Sequence, residues 1–500
     1  MGAAGESPLL WLYNTAQLMH SSDSTAKIFD KLHIAMMVFG VFSIVALYAF
    51  GFYRALTCPY SLNYEGVPLW ASWALAHGLN IYDPARLSAE PWSVNIYPPL
   101  MPIIGQLASA KVAGCLIFLR ALSAVCAVGT AILLWLLWKR SAVDRVAAAA
   151  ALVFVFSPLP VWFNSFMCKP DFLCIFFIIA TLLVFWLKYE RDELSTKALL
   201  PCVALSVLAL LGKQQGVLAP ATICVFLLVR GKTAAAVRFG CIIVAAFALT
   251  GIVFQLITGG VPQIYAFLKQ LHWDYNNVGL NVSTLAADGI KLGLISAGAI
   301  LYIVRKQVAM PQFQFACIFL VLSVLQCLSS LGIPAATSNH FILPFIGFAM
   351  VAALVGTRWT WFAAALAVVS VILVIDLALF LDKQVSTVRT EAAGVLQQLP
   401  HQGKLLSEDP YWVFATGTEL VMVDCNIFQS VWRQRPQLQQ PFIDRLKSKA
   451  YAAVMINHRD SRQGGNYIWT PEALAAIKEN YRLAGSGTGN GISQDIYLPK

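Results

Sequence analysis

The chain has 500 residues, of which 58% are hydrophobic and 12% charged, where a soluble domain carries about 25% charged residues. Its mean hydropathy of +0.68 excludes an ordinary soluble enzyme, and apolar runs approaching the roughly 20 residues of a membrane span recur along it. The net charge of +10 does not mark a nucleic-acid binder, because the Lys and Arg are scattered between apolar runs and lipid headgroups are their natural counter-ions.

Residues 1–32 are polar and precede the first apolar run, His33 to Phe52, which lacks a small-residue cleavage site and reads as a retained signal anchor. From there to residue 381 about eleven passes follow, centred near residues 43, 127, 154, 180, 205, 223, 247, 297, 321, 348 and 370. One set of loops is short and basic: Lys139, Arg140 and Arg145; Lys188, Arg191 and Lys197; Arg230, Lys232 and Arg238; Arg305 and Lys306; Arg358. The positive-inside rule puts these and the N-terminus in the cytoplasm. Residues 54–114, 164–171, 212–216, 259–288, 332–340 and the tail 382–500 are then extracytoplasmic. In the long first outer loop, Val67–Gly78 and Leu100–Gly114 read as helices lying at the interface, as does Gln263–Trp273 further on.

In the tail the charge rises and long apolar runs stop. Lys404–Ser407, Leu420–Val423, Tyr451–Ile456 and Asp495–Leu498 read as strands, and Thr470-Pro471 opens a helix, so the tail is expected to form a small α/β domain. The run Gly485–Gly491 lacks the strand–turn–helix setting of a nucleotide loop and reads as a surface turn. The eleven cysteines show no metal spacing and read mostly as small buried hydrophobes, with Cys58, Cys168 and Cys425 outside the membrane.

Charges in apolar surroundings mark the candidate site. Ala198–Leu211 and Val217–Val229 have only 14 and 13 residues, about 20 Å each against a hydrocarbon core of about 30 Å. The turn between them, carrying Lys213, Gln214 and Gln215, should therefore dip below the outer surface, where polar backbone is tolerated only beside a cavity. The alternative is a Lys213 that snorkels to the headgroups. On the same side lies Lys169-Pro170-Asp171, for which a helix macrodipole and a surface ion pair are as good an account as a site. Glu65, in Asn63-Tyr64-Glu65-Gly66, is by itself a solvated loop acid, Tyr97-Pro98-Pro99 a turn, and Asn339-His340 a cap. Together, five outer loops deliver unusual polar residues to one membrane face, and the cytoplasmic side has no comparable set.

This ordered set resembles the GT-C glycosyltransferases, in the bacterial branch related to protein O-mannosyltransferases and the lipid A aminoarabinose transferase. The resemblance is carried by Glu65, by Ile96-Tyr97-Pro98-Pro99-Leu100 before an interfacial helix, and by the Arg120 that follows. Lys169-Pro170-Asp171 stands where the family often has Arg-x-Asp, and Gly212-Lys213-Gln214 where it has Thr-Lys-Gln. Asn339-His340 and a tail opening with Ser407-Glu408-Asp409-Pro410 complete it. Glu65 departs from the pattern in lacking the adjacent acid of some members.

The resemblance implies an all-α polytopic membrane fold with a C-terminal extracytoplasmic α/β domain, in a bacterial plasma membrane. It implies a hexosyl- or pentosyltransferase that moves a sugar from a polyprenyl-phosphate donor to a glycan, lipid or protein acceptor. Glu65 would deprotonate the acceptor hydroxyl or orient it, and Lys169 and Lys213 would hold the donor phosphate. Asp171 would position Lys169 or contact the sugar, Tyr97 and Gln214 would shape the pocket, and Asn339 and His340 would contact phosphate or sugar. Some relatives bind a divalent metal; no acid–His cluster near Glu65 identifies one here, and no cofactor is assigned. The rival reading is a transporter or flippase of a lipid-linked or anionic substrate, which membrane-embedded charges also suit. Against it, the halves show no repeat and the polar sites favour one face over the midplane. A membrane scaffold, the third reading, has no need of a recessed Lys213.

Overall fold

A computed structural model of the chain describes residues 23–58, 65–95, 97–259, 310–330, 338–358, 360–385, 394–425, 428, 431–432, 435–457, 469–489 and 492–500. The protein is a helical membrane bundle carrying a small sheet domain. Among the described residues, seven helical stretches are long and apolar enough to span a bilayer: Ile34–Thr57, Val112–Arg140, Asp171–Glu190, Thr233–Thr258, Pro311–Ser330, Asn339–Thr357 and Phe362–Leu379. They belong to α1 (Asp23–Thr57), α4 (Val112–Arg140), α7 (Asp171–Glu190), α10 (Thr233–Thr258), α11 (Pro311–Ser330), α12 (Ile342–Arg358) and α13 (Thr360–Val385). An eighth span is broken into α5 (Arg145–Phe156) and α6 (Leu159–Ser165), which meet at 78°. The break falls at Pro158, whose extended backbone opens α6 and whose ring cannot continue α5. The short pair α8 (Thr196–Gly212) and α9 (Leu218–Val229) completes the bundle, with a single 3₁₀ turn, Gln214–Val217, between them. The pass expected near residue 297 and the interfacial helix expected at Gln263–Trp273 lie outside the described residues.

The two ends of the bundle differ in chemistry. At one end basic residues tie neighbouring helices together: Arg230 donates to Tyr189 Oη at 3.1 Å and to Gln314 Oε1 at 3.3 Å. There too Lys232 pairs with Asp192 at 3.0 Å and Arg238 donates to the Leu194 carbonyl at 3.1 Å. The other end carries α2 (Gly66–Ala76), α3 (Leu100–Gly105) and the C-terminal domain. α2 is the expected interfacial helix, now packed down through Leu69, Trp70 and Ala74.

The C-terminal domain is built on a five-stranded sheet in the order β3-β2-β5-β7-β6: Glu419–Leu420, Lys404–Ser407, Ala453–Asn457, Ile492–Pro499 and Tyr481–Gly489. Helices α14 (Tyr411–Thr416), α15 (Gln440–Lys447) and α16 (Pro471–Asn480) accompany it, with Phe442 stacked between Trp432 and Trp469. Of the glycine-rich run expected as a surface turn, the described residues 485–489 lie in β6. Its glycines serve close packing: a Cβ on Gly485 would lie 2.3 Å from Gln398 Oε1, and one on Gly487 would lie 2.8 Å from Val395 Cγ2.

The first outer loop is woven into this domain. β1 (Trp92–Ser93) pairs in parallel with β4 (Met422–Val423). Trp92 is fully buried in the domain's apolar core, its ring edge-on to Phe442 at 5.4 Å. Glu90 accepts from Lys404, and also from Tyr451 Oη at 3.2 Å. The loop and the tail thus fold as one cover over the end of the bundle.

Candidate active site

Five chain segments converge beneath that cover. The first contact is a buried ion pair between Glu65, at the entrance of α2, and Arg120, inside α4. Arg120 Nε donates to Glu65 Oε1 at 2.9 Å and Nη2 to Oε2 at 2.5 Å, and both side chains are 0% exposed. Arg120 Nη1 also donates to the Cys58 carbonyl at 2.6 Å, where it satisfies the C-terminal end of α1. Glu65 Oε1 accepts in addition from the Cys168 backbone N–H at 2.7 Å. Its carboxylate is committed to a bidentate guanidinium and an amide, and it faces no solvent from which an acceptor hydroxyl could approach. What it does is join α1, α2, α4 and the residue preceding Lys169.

A second ion pair sits beside the first. Lys213 Nζ donates to Asp171 Oδ1 at 2.6 Å, and the two side chains are 6% and 2% exposed. The same oxygen accepts from Asn339 Nδ2 at 2.9 Å. Asp171 opens α7, where the N-terminal dipole favours a carboxylate. Lys213 ends α8 with its backbone extended, and its inward pair shows that it does not reach for headgroups. The recessed turn after it closes because Gly216 has no side chain: a Cβ there would lie 2.3 Å from the Leu210 nitrogen. Asp171 therefore holds Lys213 and Asn339, and not Lys169 as expected. Gln215 faces His340, Nε2 to Nδ1 3.4 Å, while Gln214 is half-exposed.

Lys169 stands between these pairs. Only its backbone is held, the carbonyl accepting from Ser123 Oγ at 3.2 Å and the amide donating to the Met167 carbonyl at 2.8 Å. Among the described residues its ammonium has no hydrogen bond or ion pair. Burial lowers its pKa from the ordinary lysine value, and Asp171 and then Glu65 oppose that shift. Two ion pairs and one cation without a hydrogen bond or ion pair of its own thus lie close together among the described residues. Tyr97 completes this side, its carbonyl accepting from Tyr82 Oη at 2.7 Å. Burial first, then the carboxylates of Asp424 and Asp171, raise the pKa of its phenol and keep it a hydrogen-bond donor.

The C-terminal domain closes the site from above. Asp409 Oδ1 accepts from the Tyr411 N–H at 3.0 Å, and a Cβ on Gly66 would lie 2.0 Å from that oxygen. Glycine is required directly after Glu65 because the domain rests on it. Among the described residues no three His, Cys, Asp or Glu side chains are grouped so as to hold a metal ion. Two contributors escaped the sequence reading: Arg120 as partner of Glu65, and Asp424. Arg120 had a signal, since an arginine inside an apolar span needs a buried partner. Asp424 had none.

Comparison with known proteins agrees with this architecture. Residues 98–257 match the family described as dolichyl-phosphate-mannose-protein mannosyltransferase. The crystal structure of ArnT from Cupriavidus metallidurans in the apo state superposes with a TM-score of 0.56 at 14% identity, covering 91% of this chain and 96% of that one. The oligosaccharyltransferase of Archaeoglobus fulgidus, also in the apo form, gives 0.52 at 14% identity, over 94% of this chain and 74% of that one. Among curated protein sequences nothing matches. With its apolar spans and its covering sheet domain, the chain shares the fold of these two membrane proteins, and residues 98–257 carry the match to the mannosyltransferase family.

Proposed function

We propose that the chain transfers a sugar from a polyprenyl-phosphate donor to a hydroxyl-bearing acceptor, beneath the C-terminal domain and on the extracytoplasmic side of the plasma membrane. The observation that carries this is the unpaired ammonium of Lys169 beside the paired ammonium of Lys213, in a recess at one end of the bundle. A lipid phosphate enters from the membrane and presents oxygen acceptors to both. Lys213 has three N–H donors and gives one to Asp171, so it can contact phosphate without giving up its pair. In the transfer step the acceptor hydroxyl oxygen bonds to the anomeric carbon as the bond from that carbon to the phosphate oxygen breaks; charge gathers on the phosphate oxygen, and the acceptor's proton passes to the departing phosphate. Cations fixed beforehand stabilise this charge more than that of the bound donor, whose charge is spread. Asn339 and His340 close the other wall, and Tyr97 offers its phenol O–H to the sugar or the phosphate. Glu65 and Arg120 act through position, setting the height of Cys168 and hence of Lys169.

The test is transfer itself. The full chain in lipid nanodiscs receives radiolabelled polyprenyl-phosphoryl hexoses and pentoses with octyl glycosides as acceptors, and labelled product is counted. Lys169→Met should lower kcat/KM for the donor about 10- to 100-fold, the weight of one charge-assisted hydrogen bond, and Lys169→Arg should restore part of it. Movement of intact donor across a vesicle bilayer without product would replace the transferase with a flippase.

A further inference from the structure

The short stretch Trp92 to Asn95 holds an anomaly that the phosphate site does not use. Buried side-chain polar atoms nearly always find partners. Among the described residues eight such atoms have none, and three of them, Trp92 Nε1, Ser93 Oγ and Asn95 Nδ2, fall on these four consecutive residues. Asn95 is the informative one. Its Oδ1 is anchored by the Tyr97 N–H at 3.2 Å, which fixes the amide plane. Its Nδ2 is left unpaired although the residue is only 4% exposed. It lines a cleft with Val67, Tyr97, Met101 and Pro170, the last of these being the residue that follows Lys169. The free space in that cleft is about 10 Å³, the room that one water oxygen, or one sugar hydroxyl, takes up.

The strand beside it supplies the complementary group. The parallel register Ser93↔Val423 brings the chain end after β4 alongside the end after β1. There Asp424 adopts a left-handed backbone, φ 57°, that a non-glycine residue holds only when its surroundings impose it. Its carboxylate acts on the same Tyr97 phenol that lines the cleft. A fixed amide donor after β1 and a carboxylate acceptor after β4, brought together by the strand register, match the two halves of a hydroxyl group, its oxygen and its proton.

We propose that Asn95, with Asp424 from the covering domain, forms a hydroxyl-reading subsite for the sugar chemistry of this site: Asn95 Nδ2 donates to one hydroxyl oxygen and Asp424 accepts a hydroxyl proton. The hydroxyl comes from the donor sugar or from a sugar acceptor. The proposal rests on the transferase reading above, and it gives the C-terminal domain a share in substrate selection. A water in the cleft serves the empty protein and is displaced by a group of the same size and hydrogen-bonding capacity.

The experiment uses the full chain in nanodiscs, with monodeoxy versions of farnesyl-phosphoryl mannose and arabinose as donors and monodeoxy octyl glycosides as acceptors. The wild type should reject one deoxy position at least tenfold in kcat/KM, because its amide is then left unpaired. Asn95→Ala should treat that analogue and the parent sugar alike, its unfolding temperature falling only by the worth of the lost Tyr97 N–H bond to Oδ1. Asp424→Asn should weaken the same discrimination. Lost selectivity among deoxy-donors assigns the subsite to the donor sugar, and among deoxy-acceptors to the acceptor. Deoxy selectivity that survives in Asn95→Ala, or a loss of activity that follows a loss of thermal stability, overturns the subsite while leaving the transferase. A wild-type chain that transfers none of these sugars removes both.

Discussion

Arg120→Met should be the most damaging single change outside the phosphate site. It removes both hydrogen bonds to Glu65 and those to the Ala55 and Cys58 carbonyls, leaving a carboxylate with 0% exposure without its bidentate partner. Breaking a buried pair by removing one partner costs about 3–5 kcal/mol. On a scale of about 2 °C per kcal/mol, the loss in unfolding temperature is about 6–10 °C. Glu65→Gln alone keeps an acceptor for Cys168 but strands the guanidinium, and should fall in the same direction. Glu65→Gln with Arg120→Met removes both charges, so the double variant should recover about 1–3 kcal/mol relative to the sum. The assay is thermal unfolding of the detergent-solubilised protein for the wild type, both single variants and the double, with transfer activity measured on each. Additive shifts would show that the pair is not coupled. A Glu65→Gln protein with an unchanged unfolding temperature and no transfer would refute the reasoning and return Glu65 to the role of base.

Lys213→Met should destabilise through the buried Asp171 it leaves behind, and adding Asp171→Asn should restore the unfolding temperature without restoring donor affinity; restored affinity would clear Lys213 of phosphate binding. The lowered pKa of Lys169 gives a pH signature. Between that value and the ordinary lysine value of about 10.4 the folded state holds fewer protons than the unfolded one, so this group makes stability rise with pH. Donor affinity should fall across the same interval as the ammonium is lost, and Lys169→Arg should flatten the fall; identical profiles would exclude Lys169 as the titrating group. Gly66→Ala should push the C-terminal domain off the bundle, because the new methyl would meet Asp409 Oδ1 and the Tyr411 backbone nitrogen. Faster proteolysis of the tail and loss of transfer are expected, and a protein as protease-resistant as the wild type would show that the contact yields.

Much of this architecture is written in local properties of the chain. Hydropathy alone marks the spans, since a bilayer selects for length and apolarity whatever the neighbours are. The short runs on either side of Lys213 mark a recessed turn, and β2 and α16 start where local patterns put them. The lysines, Asp171, Asn339 and His340 are legible because a charge or amide in an apolar setting demands a reason.

Pairing is not local, and only the tertiary structure decides it. Glu65 and Arg120 are 55 residues apart, Asp171 and Lys213 are 42 apart, and no spacing rule says which cation a carboxylate takes. The choice depends on which helix ends meet and on the desolvation each charge suffers there. For the same reason the run Gly485–Gly491 looks like a turn until β7 and the segment around Val395 are placed against it. Trp92 reads as an interfacial aromatic until it is seen inside another domain's core. The sequence by itself determined that this is a membrane protein with a polar site at one end of its bundle. Folding decided which of the charges cancel and that Lys169 does not, because net charge at a point is a property of three-dimensional neighbours.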